Sequence, residues 1–154
     1  MIRVQTDDFD PGVEIARLHA GRGDIGAVVS FVGLVRGESH GEALTSMTLE
    51  HFPGMTEREL TRIADEARVR WKLDGVVVVH RVGELKPGER IVMVATASGH
   101  RQSAFEAAEF LMDYLKTRAP FWKRELRASG EHWVEARESD DHAAERWRRD
   151  ENHG

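Results

Sequence analysis

The chain has 154 residues, 40% hydrophobic and 32% charged, with a formal net charge of −5, which suits one domain with its own core and weighs against a general nucleic-acid binder needing a basic face. It has no cysteine, which excludes disulfides, thiolate metal sites and a cysteine nucleophile, so sulfur chemistry would have to bring its sulfur on a partner. No apolar run nears the roughly 18 residues of a membrane span and the N-terminus lacks an apolar signal region, so a cytoplasmic protein is expected.

Ile2 to Thr6 reads as a short strand. Asp10-Pro11 then marks a helix start, with Asp10 as N-cap and Pro11 in the first turn. Val13, Ala16 and Ala20 suggest its apolar face, and Gly21 and Gly23 its end. Gly26 to Arg36 is β-branched and apolar, which predicts a mostly buried strand. Gly33 inside it suggests a bulge or a close backbone approach. Gly37 to Glu42 is polar and glycine-rich, and reads as a mobile loop. Leu44 to Phe52 alternates like a half-buried strand.

Pro53-Gly54 breaks that strand, and Thr56 to Glu59 has capping-box form. Leu60, Ile63, Ala64, Ala67 and Trp71 follow at helical spacing, which predicts an amphipathic helix to about Arg70. Val76 to Val82 and Arg90 to Ala97 read as an antiparallel hairpin joined through Lys86-Pro87-Gly88. Ser103 to Glu106 is a second capping-box match, with Phe105, Ala108, Met112 and Leu115 as the buried face of the next helix. That helix should stop before Pro120. Phe121 to Leu126 and His132 to Ala136 read as short extended segments.

A short helix over Asp140 to Arg149 and a disordered charged tail over residues 148–154 complete the reading. Residues 1–147 form one expected domain. The hairpin makes the sheet mixed, so the class is α+β: a mixed sheet with packed helices.

The window Tyr114 to Arg127 holds Lys116, Arg118, Lys123, Arg124 and Arg127 against one acid, Glu125. Such a cluster beside Pro120, Phe121 and Trp122 is either a rigid anion pocket or a solvated patch. His100 and Arg101 stand at a helix start, where free N–H groups and the helix dipole favour an anion. Lys116 stands in the last turn, where a cation is favoured anyway. Lys123 shares a side of its extended segment with Phe121 and Glu125, while Trp122 and Arg124 point the other way. Lysines among aromatics and other cations can serve as acids or bases. Arg36 and Arg137 end strands and are candidates for the pocket rim. The histidine spacing holds no metal-ligand pattern, so neither a metal nor a cofactor is expected.

Arg101 and Lys116 are 15 positions apart, roughly 20 Å on one helix at about 1.5 Å per residue. If both serve one small ligand, a two-fold dimer must bring one chain's helix start to the other's helix end.

Five segments carry a family resemblance: LEHFPGMTE from Leu49, HRVGEL from His80, HRQSAFEA from His100, YLKTRAPFWKRE from Tyr114 and WVEARESD from Trp133. In order and over residues 26–147 they resemble the large, catalytic subunit of molybdopterin synthase, the MoaE family. The resemblance implies an α/β-hammerhead fold. It implies sulfurtransferase activity that converts cyclic pyranopterin monophosphate into molybdopterin by installing a dithiolene. The sulfur would arrive as a thiocarboxylate on the C-terminal Gly-Gly of a small ubiquitin-like subunit of the MoaD family. The assembly implied is a heterotetramer around a central dimer of the large subunit.

By position, the resemblance assigns catalysis to Lys116 and Lys123. It assigns pterin binding to His100 and Arg101, pocket positions to Arg36, Arg124 and Glu125, and a place near the anion to Arg137. Phe31 and Met112 match positions near the pocket that takes the partner's tail. Leu34 departs from members that carry a lysine there. Two other readings use the same basic window: a non-catalytic module that binds a phosphorylated small molecule or a peptide C-terminus, and an RNA-binding domain, against which the acidic total weighs.

Overall fold

Residues 1–134 and Trp147 are described by a computed structural model. The elements run β1 (Ile2–Gln5), α1 (Pro11–His19), β2 (Ala27–Leu34), β3 (Glu38–Ser39), β4 (Glu42–His51), α2 (Met55–Trp71), β5 (Gly75–Arg81), β6 (Gly83–Leu85), β7 (Arg90–Ser98), α3 (Arg101–Thr117), β8 (Phe121–Arg127) and β9 (Gly130–Val134). The first sheet has the order β1-β5-β7-β2. The second has the order β3-β4-β8-β9, with β6 pairing β4. β1 runs parallel to β5, while β5–β7 and β2–β7 are antiparallel, so the fold is mixed α+β as expected.

β5 shows why this sheet is central. Val76 to Val79 are all buried. Val76 and Val78 join the cluster of α2 and α3, with Leu60, Ile63, Phe110 and Leu111. Val77 and Val79 join the opposite cluster, with Phe9, Leu18 and Met93. Successive side chains of a strand point to opposite faces, so an unbroken apolar run marks a strand covered on both. A third cluster of Val35, Leu44, Met47, Leu49 and Leu85 belongs to the second sheet.

Several expectations are corrected. The inward face of α1 is Glu14 and Leu18, not Val13, Ala16 and Ala20; Val13 is exposed. A carboxylate takes a core position because Arg3 of β1 pairs with it. Hydrophobic patterning cannot see that compensation. Glu14 has only 4% of its side chain exposed and Arg3 has 32%, so the two partners are unequal. Arg3→Ala strands a buried carboxylate that Arg17 reaches only at 3.6 Å. It is expected to cost about 3 kcal/mol. Glu14→Ala leaves an arginine that can turn to water, and should cost less in the same urea titration. Equal losses would remove the asymmetry.

β2 is the edge of its sheet, not a mostly buried strand. Ser30, Phe31 and Leu34 are exposed. Its register does shift between Gly33 and Leu34. A Cβ at Gly33 would lie 2.8 Å from Val92 Cγ1, which is the close approach that a strand glycine suggests.

Residues 37–42 are an ordered hairpin rather than a mobile loop. His40 (φ 51°) and Gly41 (φ 78°) make the turn between β3 and β4, and two successive positive φ values fit a tight hairpin turn. The alternation of β4 changes phase where its pairing with β8 shifts between Leu44 and Ser46. Leu44 and Ser46 are buried, and so are Met47 and Leu49.

Neither expected capping box forms at its own residues. α2 starts at Met55, and it is Glu57 that accepts the Gly54 N–H. Thr56 instead accepts from the Phe52 N–H at 2.9 Å and donates to the Pro120 carbonyl at 3.1 Å. α3 starts at Arg101 with His100 as N-cap. Ser103 therefore lies inside the helix, and Glu106 accepts from Trp71 Nε1 at 2.9 Å. On α3 the buried face is Ala104, Ala107, Ala108, Phe110, Leu111, Tyr114 and Leu115, whereas Phe105 is exposed. The alanines let the helix backbone lie close to the sheet, and this moves the contact face away from the large side chain of Phe105.

Trp147 is buried against Trp71 and Phe110, and its indole N–H donates to Asp113 at 2.6 Å. Apart from Trp147, the expected helix over 140–149, the tail over 148–154 and Arg137 lie outside the described residues. Among the described residues, no helix is long and apolar enough to cross a membrane.

Candidate active site

α3 is one unbroken helix from Arg101 to Thr117. It therefore holds His100 and Arg101 at one end and Lys116 in the last turn of the other. All three side chains are exposed. At about 1.5 Å of rise per residue the ends are roughly 20 Å apart, so within one chain they face separate places.

The helix stops where the residue types require it. The N–H groups of Arg118 and Ala119 both return to the Tyr114 carbonyl, and Pro120 has no N–H to continue the ladder. The Thr56–Pro120 hydrogen bond ties this corner to the start of α2. β8 then pairs antiparallel with β4: Phe121 lies opposite His51, Lys123 opposite Leu49 and Glu125 opposite Met47. Strand alternation puts Phe121, Lys123 and Glu125 on one side and Trp122, Arg124 and Leu126 on the other. Glu125 is buried, Phe121 and Lys123 are half-buried, and Trp122 and Leu126 are exposed. Arg124 stands over the Trp133 ring at 5.6 Å and lies 4.0 Å from Glu50.

Glu125 is heavily engaged by the protein. Ser39 Oγ donates to its carboxylate at 2.6 Å. Arg127 donates through Nε at 3.0 Å and Nη2 at 2.8 Å. Burial pushes its pKa up, but the bonds from Ser39 and Arg127 and the charges of Lys123 and Arg127 bring it below the usual carboxylate value. The Ser39 contact also pins the β3 hairpin to β8. Arg36 is exposed just before that hairpin, and Phe31 and Leu34 are exposed on β2. Met112 is half-buried and packs with Phe121 on the α2–α3 core.

Two histidines beside this run were not singled out by the sequence reading. His80, near the end of β5, stacks on Phe121 with ring centroids 3.9 Å apart and an interplanar angle of 18°. It bridges the two sheets. Its Nδ1 lies 2.8 Å from the Arg81 carbonyl. That carbonyl can only accept, so Nδ1 carries the hydrogen. Burial lowers the His80 pKa to about 4; the bond to Arg81 opposes the shift, and the charges of Lys116 and His51 add to it. As pH falls from about 6.5 to 4, His80 protonates in the unfolded chain first, and folding stability declines across that window. His51 ends β4 with Nε2 at 3.4 Å from Glu57 Oε1. Both histidines lie inside family-like segments, HRVGEL and LEHFPGMTE. For His80 the available signal was a histidine near the end of an apolar strand.

Phe121, Lys123 and Glu125 thus line one side of β8, with His80 stacked on Phe121 where the sheets meet, while Lys116 stands in the last turn of α3 and its charge acts on His80. His100 and Arg101 lie at the far end of α3, and Arg36 lies by the β3 hairpin. Fold and run together define the class: an α+β protein with a candidate anion-handling site at the junction of two sheets. The chain belongs to the MoaE protein family, whose sequence model matches residues 4–118. It is 58% identical to the molybdopterin synthase catalytic subunit of Mesorhizobium japonicum over 149 residues, covering 96% of this chain and 92% of that one. It is 57% identical to the molybdopterin synthase catalytic subunit of Escherichia coli K12 over 146 residues, covering 95% and 97%. Its fold matches the solved molybdopterin biosynthesis MoaE protein of Burkholderia ambifaria with a TM-score of 0.80 at 54% identity, covering 96% and 97%.

Proposed function

We infer that this chain is the catalytic subunit of a molybdopterin synthase. It transfers sulfur from the C-terminal thiocarboxylate of a small MoaD-family subunit to cyclic pyranopterin monophosphate and so forms the dithiolene. The observation that carries the reading is family membership along nearly the whole chain, at 57–58% identity to relatives named for that activity. The chemistry of the candidate site supports it. A cyclic phosphate and a thiocarboxylate are both anions, and bringing them together requires fixed cations in a site held in advance. Lysine can supply both charge and a proton.

In this reading Lys116 meets the incoming thiocarboxylate and Lys123 the pterin carbon that takes the sulfur. Arg36, Arg124 and Arg137 serve the pocket, and Phe31 and Met112 border the partner's tail. His100 and Arg101 hold the pterin from the second subunit of a dimer, because α3 keeps them about 20 Å from Lys116 within one chain. The active form is then a heterotetramer with a central dimer, working in the cytoplasm without a cofactor of its own.

Reconstitution with a thiocarboxylated small subunit and the precursor is expected to give dithiolene product. In the same sample, light scattering should show two copies of this chain per particle. Partner capture without turnover would favour a non-catalytic binding module. An active particle with one copy of this chain would remove the shared site.

A further inference from the structure

Thr56 is fully buried. Its hydroxyl accepts from the Phe52 N–H at 2.9 Å and donates to the Pro120 carbonyl at 3.1 Å. Its own N–H donates to the Phe52 carbonyl at 2.9 Å. Strand register accounts for this placement. His51 of β4 faces Phe121 of β8, so the next antiparallel rung would join Phe52 to Pro120. Pro120 has no N–H to give to that rung. Thr56 completes it instead. Its N–H takes the Phe52 carbonyl, and its hydroxyl links the Phe52 N–H to the Pro120 carbonyl. A buried hydroxyl used as donor and as acceptor holds both partners in one geometry.

Pro120 is the turn between the two lysines. Lys116 stands four residues before it in the last turn of α3, and Lys123 stands three residues after it on β8. The two elements are held separately. The N–H groups of Arg118 and Ala119 close α3 on the Tyr114 carbonyl, and β8 is held by β4. The connection is tight, with the Phe121 N–H donating to the Ala119 carbonyl at 2.9 Å. The Thr56 hydroxyl anchors that turn from a third element, α2. We propose, on the assignment of the two lysines made above, that Thr56 is a positioning residue for sulfur transfer: by anchoring the Pro120 carbonyl it sets the offset between the end of α3 that carries Lys116 and the strand that carries Lys123. Sulfur transfer between two anions needs both cations in place together, so a misplacement of about 1 Å between them is felt in kcat more than in partner binding.

Three variants separate the hydroxyl from the packing. Thr56→Val keeps the branched shape without the hydroxyl. Thr56→Ser keeps the hydroxyl without the methyl. Ile63→Val trims the buried face of the same helix and is the stability control. Turnover is measured with saturating thiocarboxylated partner and precursor, alongside the KM for the partner, the melting temperature and the backbone amide NMR signals of Ala119 and Phe121 in ligand-free protein. Thr56→Val should lose roughly tenfold to a hundredfold in kcat, keep KM within about twofold and shift both amide signals. Thr56→Ser should keep near-native kcat and unshifted signals, although the lost methyl lowers its melting temperature. Ile63→Val should also melt lower and keep native kcat. Should Thr56→Val melt below the assay temperature, Thr56→Ala removes the hydroxyl without crowding the Phe52 and Pro120 groups, with the same expected losses.

Native kcat without the hydroxyl, or unmoved Ala119 and Phe121 signals, overturns the proposal. So does a loss of about tenfold or more in Thr56→Ser, which retains the bond. If native protein forms no dithiolene at all, it is the functional reading that fails. The two amide signals then still decide whether Thr56 sets the turn.

Discussion

Lys123→Ala is expected to lower dithiolene formation by at least about a hundredfold, and Lys116→Ala by a similar factor, within the range for loss of one acid–base group. Lys123 stands on the half-buried side of β8 between Phe121 and the buried Glu125. A cation there cannot be replaced by a neighbour, because Arg124 points to the opposite side and already lies over Trp133. Lys116 is exposed at the end of α3, so its removal leaves no cavity and should hardly change stability.

Single-turnover assays with saturating thiocarboxylated partner separate chemistry from binding. Lysine-to-arginine variants then separate charge from proton transfer, since arginine keeps its proton at any working pH. If the two lysines act as a unit, the double variant should be little worse than either single one. Near-native single-turnover rates in both alanine variants would refute their assignment as the catalytic pair.

Glu125→Ala is expected to cost about 3–5 kcal/mol of folding stability, with activity falling in consequence. Glu125 and Arg127 are both buried, with side-chain exposures of 7% and 9%. Removing the carboxylate leaves Arg127 without its bidentate partner and Ser39 without its acceptor. Glu125→Gln keeps an acceptor for Ser39 and should lose less.

The sign of the pH dependence follows from the lowered pKa. The contribution of Glu125 is fully present above the ordinary glutamate value of 4.5 and is lost as pH falls through the lower folded value. Urea titrations of native and Glu125→Ala protein should therefore differ most near neutrality and converge in acid. A Glu125→Ala protein of native stability but no activity would make this residue a chemical participant instead of the pin between β8 and the β3 hairpin.

Much of the framework was legible from local residue chemistry. The Asp10 N-cap is confirmed: its carboxylate accepts from the N–H groups of Gly12 and Val13. The α2 stripe and the β5–β7 hairpin are where periodicity put them, because each depends on spacing within one segment. The expectations that the fold overturned share a cause. Glu14 is inward because Arg3 arrives from another strand. Residues 37–42 are ordered because β3 pairs with β4 and Ser39 reaches Glu125, 86 positions away in sequence. Thr56 left its predicted cap for Pro120, 64 positions away.

By itself the sequence determined the α+β class, the basic window from Tyr114 to Arg127, the absence of any thiol and, through five distinctive segments, the family. It also determined that Arg101 and Lys116 stand far apart, since helix rise is a property of the backbone alone. Only the tertiary structure decided that Glu125 is held by Ser39 and Arg127, and that His80 stacks on Phe121 where the two sheets meet. The reason is physical. Those are pairings between segments far apart along the chain, and only the register of β8 against β4 and the close packing of the two sheets bring their side chains together.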